Sequence, residues 1–537
     1  MKDLIINQLK ESLVELDYYD TDLQISISTP KNKEFGDLSS NVALLLSKRL
    51  KKNPLEIAGD IKNKLDGSDL FKDINIAGPG FLNFNLNPDS ITNELVEIIN
   101  LNDEYGKNNT LKDQKVLVEF VSANPTGPLT VGHGRGAILG DTLSNIFQWN
   151  GANVDREYYY NNAGRQMRVL GESVRARYLE IQKESYEFPE GGYEGEYIYD
   201  IANDLSKEFG NTLIDNDTIF KETAEKSIFK NITNTLDRIH ISFDSFFNEN
   251  TLYENKDIYT VIDQLREKGL VYDKDNATWF HGTKVGREND RVLIKSTGEP
   301  TYRLPDMAYH VKKIERGYDL CVDIFGADHM DAYPDVIEVV KQLGHDASKI
   351  KVVIHQFISI LNQGKQVKMS TRKATYITLD ELIEQVGSDV VRYFFIMRGI
   401  NSHLNFDLDI AKEKSEKNPI FYIQYAYARI MTILSKNDLA IENYILSLLN
   451  QEDEIKLIYK LIEFKELVVK ISKDMEPQIL ATYLLELASM FHKYYAKNRV
   501  ISDNEELSKS RLVFIQSISI VIKNGLKILG ISAPKKM

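Results

Sequence analysis

Between residues 115 and 160 the chain carries a pattern that few folds accept. Val116-Leu117-Val118-Glu119-Phe120-Val121 is a short apolar run, as a strand buried on both faces requires. A loop rich in Pro and Gly follows, Ala123-Asn124-Pro125-Thr126-Gly127-Pro128. Then Val131-Gly132-His133-Gly134-Arg135-Gly136 opens a helix that should run to about Trp149. Residues 154–160 are rich in β-forming side chains and read as the next strand. Strand, loop, helix, strand is a βαβ unit, which implies an α/β doubly wound sheet. Strand-like segments return at 291–295, 319–325 and 351–355.

The flanks read differently. Residues 1–110 form a small α+β domain by pattern, with helices over 4–16 and 38–50 and a strand–turn–strand over 74–86 around Gly78-Pro79-Gly80. Residues 111–375 hold the βαβ unit, interrupted at about 164–285 by a mostly helical, polar insertion with a Gly-rich break at 189–195. From Asp380 almost every segment has helical periodicity, so residues 376–537 read as an all-α helical bundle.

Composition decides which partners need explaining. With 66 Lys plus Arg against 79 Asp plus Glu, the formal charge is −13, which argues against a polyanion as partner unless positive charge is local. The one cysteine, Cys321, excludes an intrachain disulfide or a cysteine-rich zinc site, and points to a reducing, cytoplasmic setting. Cys321 sits in an apolar segment with no local base and reads as structural. Residues 1–16 carry charges between their apolar positions and do not read as a signal peptide. Polar residues interrupt the apolar stretch 512–531, so no membrane span is expected.

Two clusters carry chemistry. Gly132-His133 at the mouth of a helix, just past a strand, suits phosphate. Free N–H groups and the helix dipole favour anions, and His133 can donate to a phosphoryl oxygen. Gly132, Gly134 and Gly136 would let a ligand approach the backbone. The second cluster, Lys365-Gln366-Val367-Lys368-Met369-Ser370-Thr371-Arg372-Lys373, places four cations in nine residues, suited to charge moving from triphosphate to pyrophosphate. Each cluster alone is also consistent with a tight turn or a solvated loop.

Together the two clusters resemble the paired signatures of class I aminoacyl-tRNA synthetases, His-Ile-Gly-His and Lys-Met-Ser-Lys-Ser. Longer stretches are similar to the bacterial arginyl-tRNA synthetase family: residues 119–129, 158–166, 300–310, 326–329, 424–429 and 529–537. Phe35-Gly36-Asp37 and Gly78-Pro79-Gly80-Phe81 resemble that family's extra N-terminal domain, so the resemblance spans nearly the whole chain. It implies a Rossmann-like catalytic domain between an N-terminal tRNA-contacting domain and a C-terminal anticodon-binding domain.

The resemblance also implies roles. Arginine would be activated by ATP to arginyl-adenylate and pyrophosphate, then passed to the 3′ end of its tRNA, with tRNA present even for the first step. Thr130, Gly132, His133, Lys368, Met369, Ser370 and Arg372 take the catalytic positions; Pro125, Gly127, Pro128, His133, Gly134, Gly136, Lys368 and Ser370 would meet ATP. Glu119, Asn124, Tyr302, Asp306 and His329 would form the arginine pocket. A guanidinium is a planar fork of donors that carboxylates can pair bidentately, which agrees with Glu119 and Asp306. Such a site rejects analogues by about 10⁴–10⁵, so no editing activity is assigned to the insertion. Tyr425, Tyr427, Arg429, Tyr495, Arg499 and Met537 would bind tRNA, since interleaved aromatics and cations suit splayed bases and phosphates. The basic helix end at 48–52 would add an RNA contact. ATP with Mg²⁺ is expected as substrate, with no resident metal, no tightly bound cofactor and a monomeric chain. Two departures stand out: Thr130 replaces the first histidine of the first signature, and Thr371 replaces a lysine of the second. They leave open a catalytically idle relative on the same scaffold; a synthetase for another amino acid is the other alternative.

Overall fold

Five strands form the central sheet of the computed structural model, which describes residues 2–28, 30, 32–213, 218–367, 377–436, 439 and 443–537. In spatial order they are Ile350–His355, Leu320–Gly326, Lys115–Glu119, Asn153–Tyr160 and Ser245–Asn248. All four pairings are parallel. From the last of these strands back, the chain order is 3-2-1-4-5, the doubly wound arrangement. The direction of winding reverses between Lys115–Glu119 and Leu320–Gly326, and a crevice opens there at the strands' carboxyl ends. Val116, Leu117 and Val118 are fully buried, as the unbroken apolar run demands.

Ser245–Asn248, within the segment read as an insertion, is itself a strand of the central sheet. Four residues are too few to show a period, yet they pair with Glu157–Tyr160. The helices Gly164–Gln182, Glu196–Phe209 and Thr218–Arg238 fill the crossover between those two strands. A second, antiparallel sheet follows, made of Val271–Lys274, Ala277–Phe280 and Arg291–Ile294.

At the N-terminus the helix expected over 38–50 begins only at Val42. Leu38–Ser40 is a strand in a four-stranded antiparallel sheet with Ile27–Ser28, Phe71–Ala77 and Phe81–Leu86. Its three residues are buried, and the hairpin Phe71–Leu86 offers them a backbone partner that local periodicity does not register. The C-terminal bundle contains Pro419–Ser435, Glu452–Asp474, Gln478–Lys497 and Glu505–Ile528. A strand, Leu404–Asp407, precedes it where helix was expected, and pairs in parallel with Ile358–Asn362.

Two buried arginines join these parts. Arg135, on the helix Val131–Trp149, donates to the carbonyls of Gln356 at 2.7 Å, Ser402 at 3.1 Å and Gly399 at 3.1 Å. Arg392 donates to the carbonyls of Leu529 and Ile239, both at 2.7 Å, and pairs with Asp141. A buried charge is tolerated only when so bonded, so these contacts fix the sheet against the bundle.

Candidate active site

A cavity of about 1040 Å³ opens at the switch point, lined from both sides of the crevice. Its phosphate-like end is built by the start of the helix Val131–Trp149. Thr130 caps that helix: its hydroxyl oxygen accepts the His133 N–H at 3.4 Å. In return the Thr130 N–H donates to His133 Nδ1 at 3.2 Å. A backbone N–H can only donate, so Nδ1 is bare and the proton of the neutral ring sits on Nε2. Burial lowers the His133 pKa, which Asp328 only partly offsets, so this neutral tautomer prevails at pH 7. The end therefore presents an uncharged donor beside a helix N-terminus. Thr130 is a capping residue in this structure and also lines the cavity.

Not every expected nucleotide contact reaches the cavity. Gly132 and Gly136 line it, but Pro125, Gly127, Pro128 and Gly134 are absent from its described lining. Gly127 faces Tyr197 of the crossover, whose hydroxyl donates to the Thr126 carbonyl at 2.8 Å. At Gly134 a Cβ would stand 2.7 Å from Leu379, so packing demands that glycine. The Gly-rich pattern looked the same for both uses because a missing side chain permits a ligand and a neighbouring element alike. Lys368, Met369, Ser370 and Arg372 lie outside the described residues. His329 ends the turn Ala327–His329, and its side chain lies outside them too.

Another part of the lining is rich in carboxylates. Glu119, Asn124, Tyr302 and Asp306 all line the cavity, as their sequence positions led us to expect. Tyr302 is 81% exposed at the rim, and Asp306 sits in the first turn of the helix Arg303–Glu315. Asn124 is held by the Asn161 N–H, which donates to Oδ1 at 3.0 Å, and itself donates to Gln166 at 3.1 Å. Glu119 already has partners within the protein. Ser122 donates to Oε1 at 2.8 Å, and the buried Lys313 bonds Oε2. Burial still pushes the Glu119 pKa up, against the pull of Lys313.

Sequence reasoning missed Glu249. It lines the cavity just past the short strand Ser245–Asn248 and accepts from Tyr159 and Asn161, both at 2.7 Å. Burial raises its pKa, and the charge of Asp306 adds to the rise. Like-charge proximity of this kind favours a cationic ligand. His355 was missed as well: it lines the cavity, and burial lowers its pKa to about 4. Glu249 had no signal beyond an acidic residue after an unrecognised strand. Among the described residues no group of three or more His, Cys, Asp or Glu is placed to hold a metal ion.

In the bundle, Tyr425 is exposed and the Arg429 guanidinium lies 4.5 Å from its ring and 5.1 Å from that of Tyr495. Arg499 and Met537 are exposed. Tyr427 is buried, contrary to expectation, because two residues along a helix turn a side chain to the opposite side from Tyr425. Of the basic residues at 48–52, Arg49 bonds Asp20 and the Tyr18 carbonyl, and Lys52 bonds the Tyr18 hydroxyl at 2.7 Å; Lys48 and Lys51 are exposed. No helix among the described residues is long and apolar enough to cross a membrane. Cys321 is buried, and burial raises its thiol to about 12, so it is structural.

Comparison with known proteins agrees with this geometry. Three family models match: arginyl tRNA synthetase N terminal domain over 3–86, tRNA synthetases class I (R), catalytic domain, over 94–392, and DALR anticodon binding domain over 423–537. The arginine–tRNA ligase of Desulfotalea psychrophila is 48% identical, covering 95% of this chain and 94% of that protein. That of Chlorobaculum tepidum is 47% identical, covering 96% and 97%. The fold is also that of the Thermus thermophilus arginyl-tRNA synthetase structure, with a TM-score of 0.77 at 20% identity over 100% of both chains. The chain belongs to the arginyl-tRNA synthetase family of class I aminoacyl-tRNA synthetases.

Proposed function

We propose that this arginine–tRNA ligase binds the arginine side chain at the carboxylate end of the cavity and the ATP phosphates at the helix end. The observation that carries this reading is that one cavity is lined both by Glu119, Glu249 and Asp306 and by His133 with its bare-Nδ1 tautomer at a helix N-terminus. The arginine carboxylate between them attacks the α-phosphorus of ATP in line, and pyrophosphate leaves. The terminal ribose hydroxyl of the tRNA then attacks the adenylate's carbonyl carbon, and AMP leaves. No side-chain nucleophile takes part, so positioning and charge stabilisation carry the rate. Mg²⁺ would accompany ATP as part of the substrate and offset its phosphate charge.

Asn124 and Tyr302 complete the pocket, with His329 as a further contact. Thr130 keeps His133 in its donating tautomer. Lys368, Met369 and Ser370 take the second signature's place. Arg372 or Lys373 supplies the cation that Thr371 lacks; unchanged arginylation by both Arg372→Ala and Lys373→Ala would remove that assignment. Tyr425, Arg429, Tyr495, Arg499 and Met537 form the anticodon-side tRNA surface, and Lys48 and Lys51 an RNA contact on the N-terminal domain, within the three domains 1–110, 111–375 and 376–537. These patches place positive charge locally on a chain of charge −13, so tRNA affinity falls steeply with salt. The chain acts as a cytoplasmic monomer. The test is ATP–pyrophosphate exchange with each amino acid, with and without tRNA. Exchange with arginine, dependent on tRNA, is expected; none with arginine under either condition overturns the reading.

A further inference from the structure

Behind the carboxylate end lie two buried cations to which the reaction assigns no task. The helix Arg303–Glu315 carries Asp306, His310 and Lys313 at spacings of four and three, so all three share a face. His310 Nδ1 lies 2.8 Å from the Asp306 carbonyl oxygen and 3.0 Å from Asp306 Oδ1. Its Nε2 lies 3.0 Å from Asp323 Oδ2. A carbonyl oxygen only accepts, so Nδ1 bears a proton; the carboxylate at Nε2 holds a second. Lys313 Nζ donates to Asp323 Oδ1 at 2.6 Å and to Glu119 Oε2. Its ammonium also lies 4.2 Å from the Tyr309 ring centroid. Lys313 and Asp323 are fully buried and His310 is 2% exposed.

The result is one continuous chain, Glu119–Lys313–Asp323–His310–Asp306, in which carboxylates and cations alternate. Its two ends line the cavity, and its three middle members do not. Two carboxylates sharing a pocket would ordinarily repel, and one would take up a proton. Here each is neutralised from behind, in the direction away from the substrate. Burial and Lys313 oppose the charge on His310, yet Asp306 and Asp323 outweigh them and raise its pKa to about 10. Three carboxylates and two cations leave the chain one positive charge short, and the shortfall falls between its ends.

We propose that Lys313 and His310 are positioning residues for the amino-acid pocket, holding Glu119 and Asp306 in place so that a bound cation completes the buried alternation. The proposal rests on the arginine pocket described above. It predicts that the cost of removing either cation falls on arginine recognition before it falls on turnover. A hydrogen bond to a charged group carries roughly a ten- to hundredfold effect.

The experiment is tRNA-dependent ATP–pyrophosphate exchange by the full chain and by Lys313→Met, Lys313→Arg and His310→Gln, with melting curves recorded alongside. Lys313→Met and His310→Gln should each raise KM for arginine about tenfold or more, with kcat changed about threefold or less. They should also narrow the preference for arginine over citrulline, its uncharged isostere. Lys313→Arg, which keeps the cation, should restore KM to near the parent value. If Lys313→Met does not fold, His310→Gln decides, since glutamine still donates to the Asp306 carbonyl. Folded variants whose KM and arginine-to-citrulline preference stay within about twofold of the parent overturn the proposal, as does a fall in kcat alone. Absence of arginine-dependent exchange in the parent chain would instead strike the pocket reading.

Discussion

The carboxylate end of the cavity is held by buried charge, the helix end by neutral hydrogen bonds. At the first, Glu119 and Asp306 are anchored through Lys313, Asp323 and His310, all in the interior. At the second, His133 is anchored by one backbone N–H and presents one uncharged donor. The contrast matches the substrate placement proposed above. A guanidinium carries a permanent charge that does not change during the reaction, so fixed counter-charges can be built in advance. Phosphate charge moves during the reaction, so donors oriented toward its transition state serve better than a permanent ion pair in the ground state.

Four measurements press on that contrast. Asp306→Ala should have the largest effect, lowering kcat/KM for arginine by about 10²–10³-fold, since it removes one of the two charged ends facing a buried cation. A loss under tenfold in steady-state kinetics would break the charge side of the comparison. His133→Ala should lower kcat of the activation step by about 10–100-fold while KM for arginine stays within about threefold, the mark of a group that acts in the transition state.

The two ends should also respond to pH with opposite sign. His310 is raised from 6.5 to about 10, so its stabilising contribution is complete below pH 6.5 and is lost as pH rises toward 10. His355 is lowered from 6.5 to about 4, so its contribution is complete above 6.5 and is lost as pH falls toward 4. The parent chain's melting temperature should therefore fall further between pH 7 and 10 than that of His310→Gln. Between pH 7 and 4 it should fall further than that of His355→Asn. Parallel curves in either range would dissolve the distinction.

The smallest effect concerns the turn that joins the two ends. Val121 and Ser122 follow Glu119 with φ of 67° and 43°, a region that a β-branched residue enters only under strain. Val121→Gly should gain about 1 kcal/mol in denaturant unfolding, less the entropy glycine adds to the unfolded chain, with arginine KM slightly raised as the turn loosens.

Much of the frame is legible in the order of the amino acids. The strand within the run 116–121, the Gly132-His133 helix start and the strands near 320 and 350 each carry a local period or a local breaker and formed near where expected. The first strand nonetheless ends at Glu119, and Val121 already belongs to the turn. Glu119, Asn124, Tyr302 and Asp306, singled out from contiguous motifs, all line the cavity. Ser245–Asn248 and Leu38–Ser40 were missed because short strands are specified by their partners and not by their own pattern. Tyr427 was misplaced because alternating aromatics and small residues on a helix do not tell which side meets the core.

The amino-acid order by itself determined the doubly wound class and the family, because each depends on neighbours a few residues apart. Only the tertiary structure decided which groups would be charged, paired or bare. Lys313 meets Glu119 across 194 residues, and Glu249 meets Tyr159 across 90. A pKa, a tautomer or a counter-ion is set by what stands within a few ångströms, and distance along the chain does not measure that.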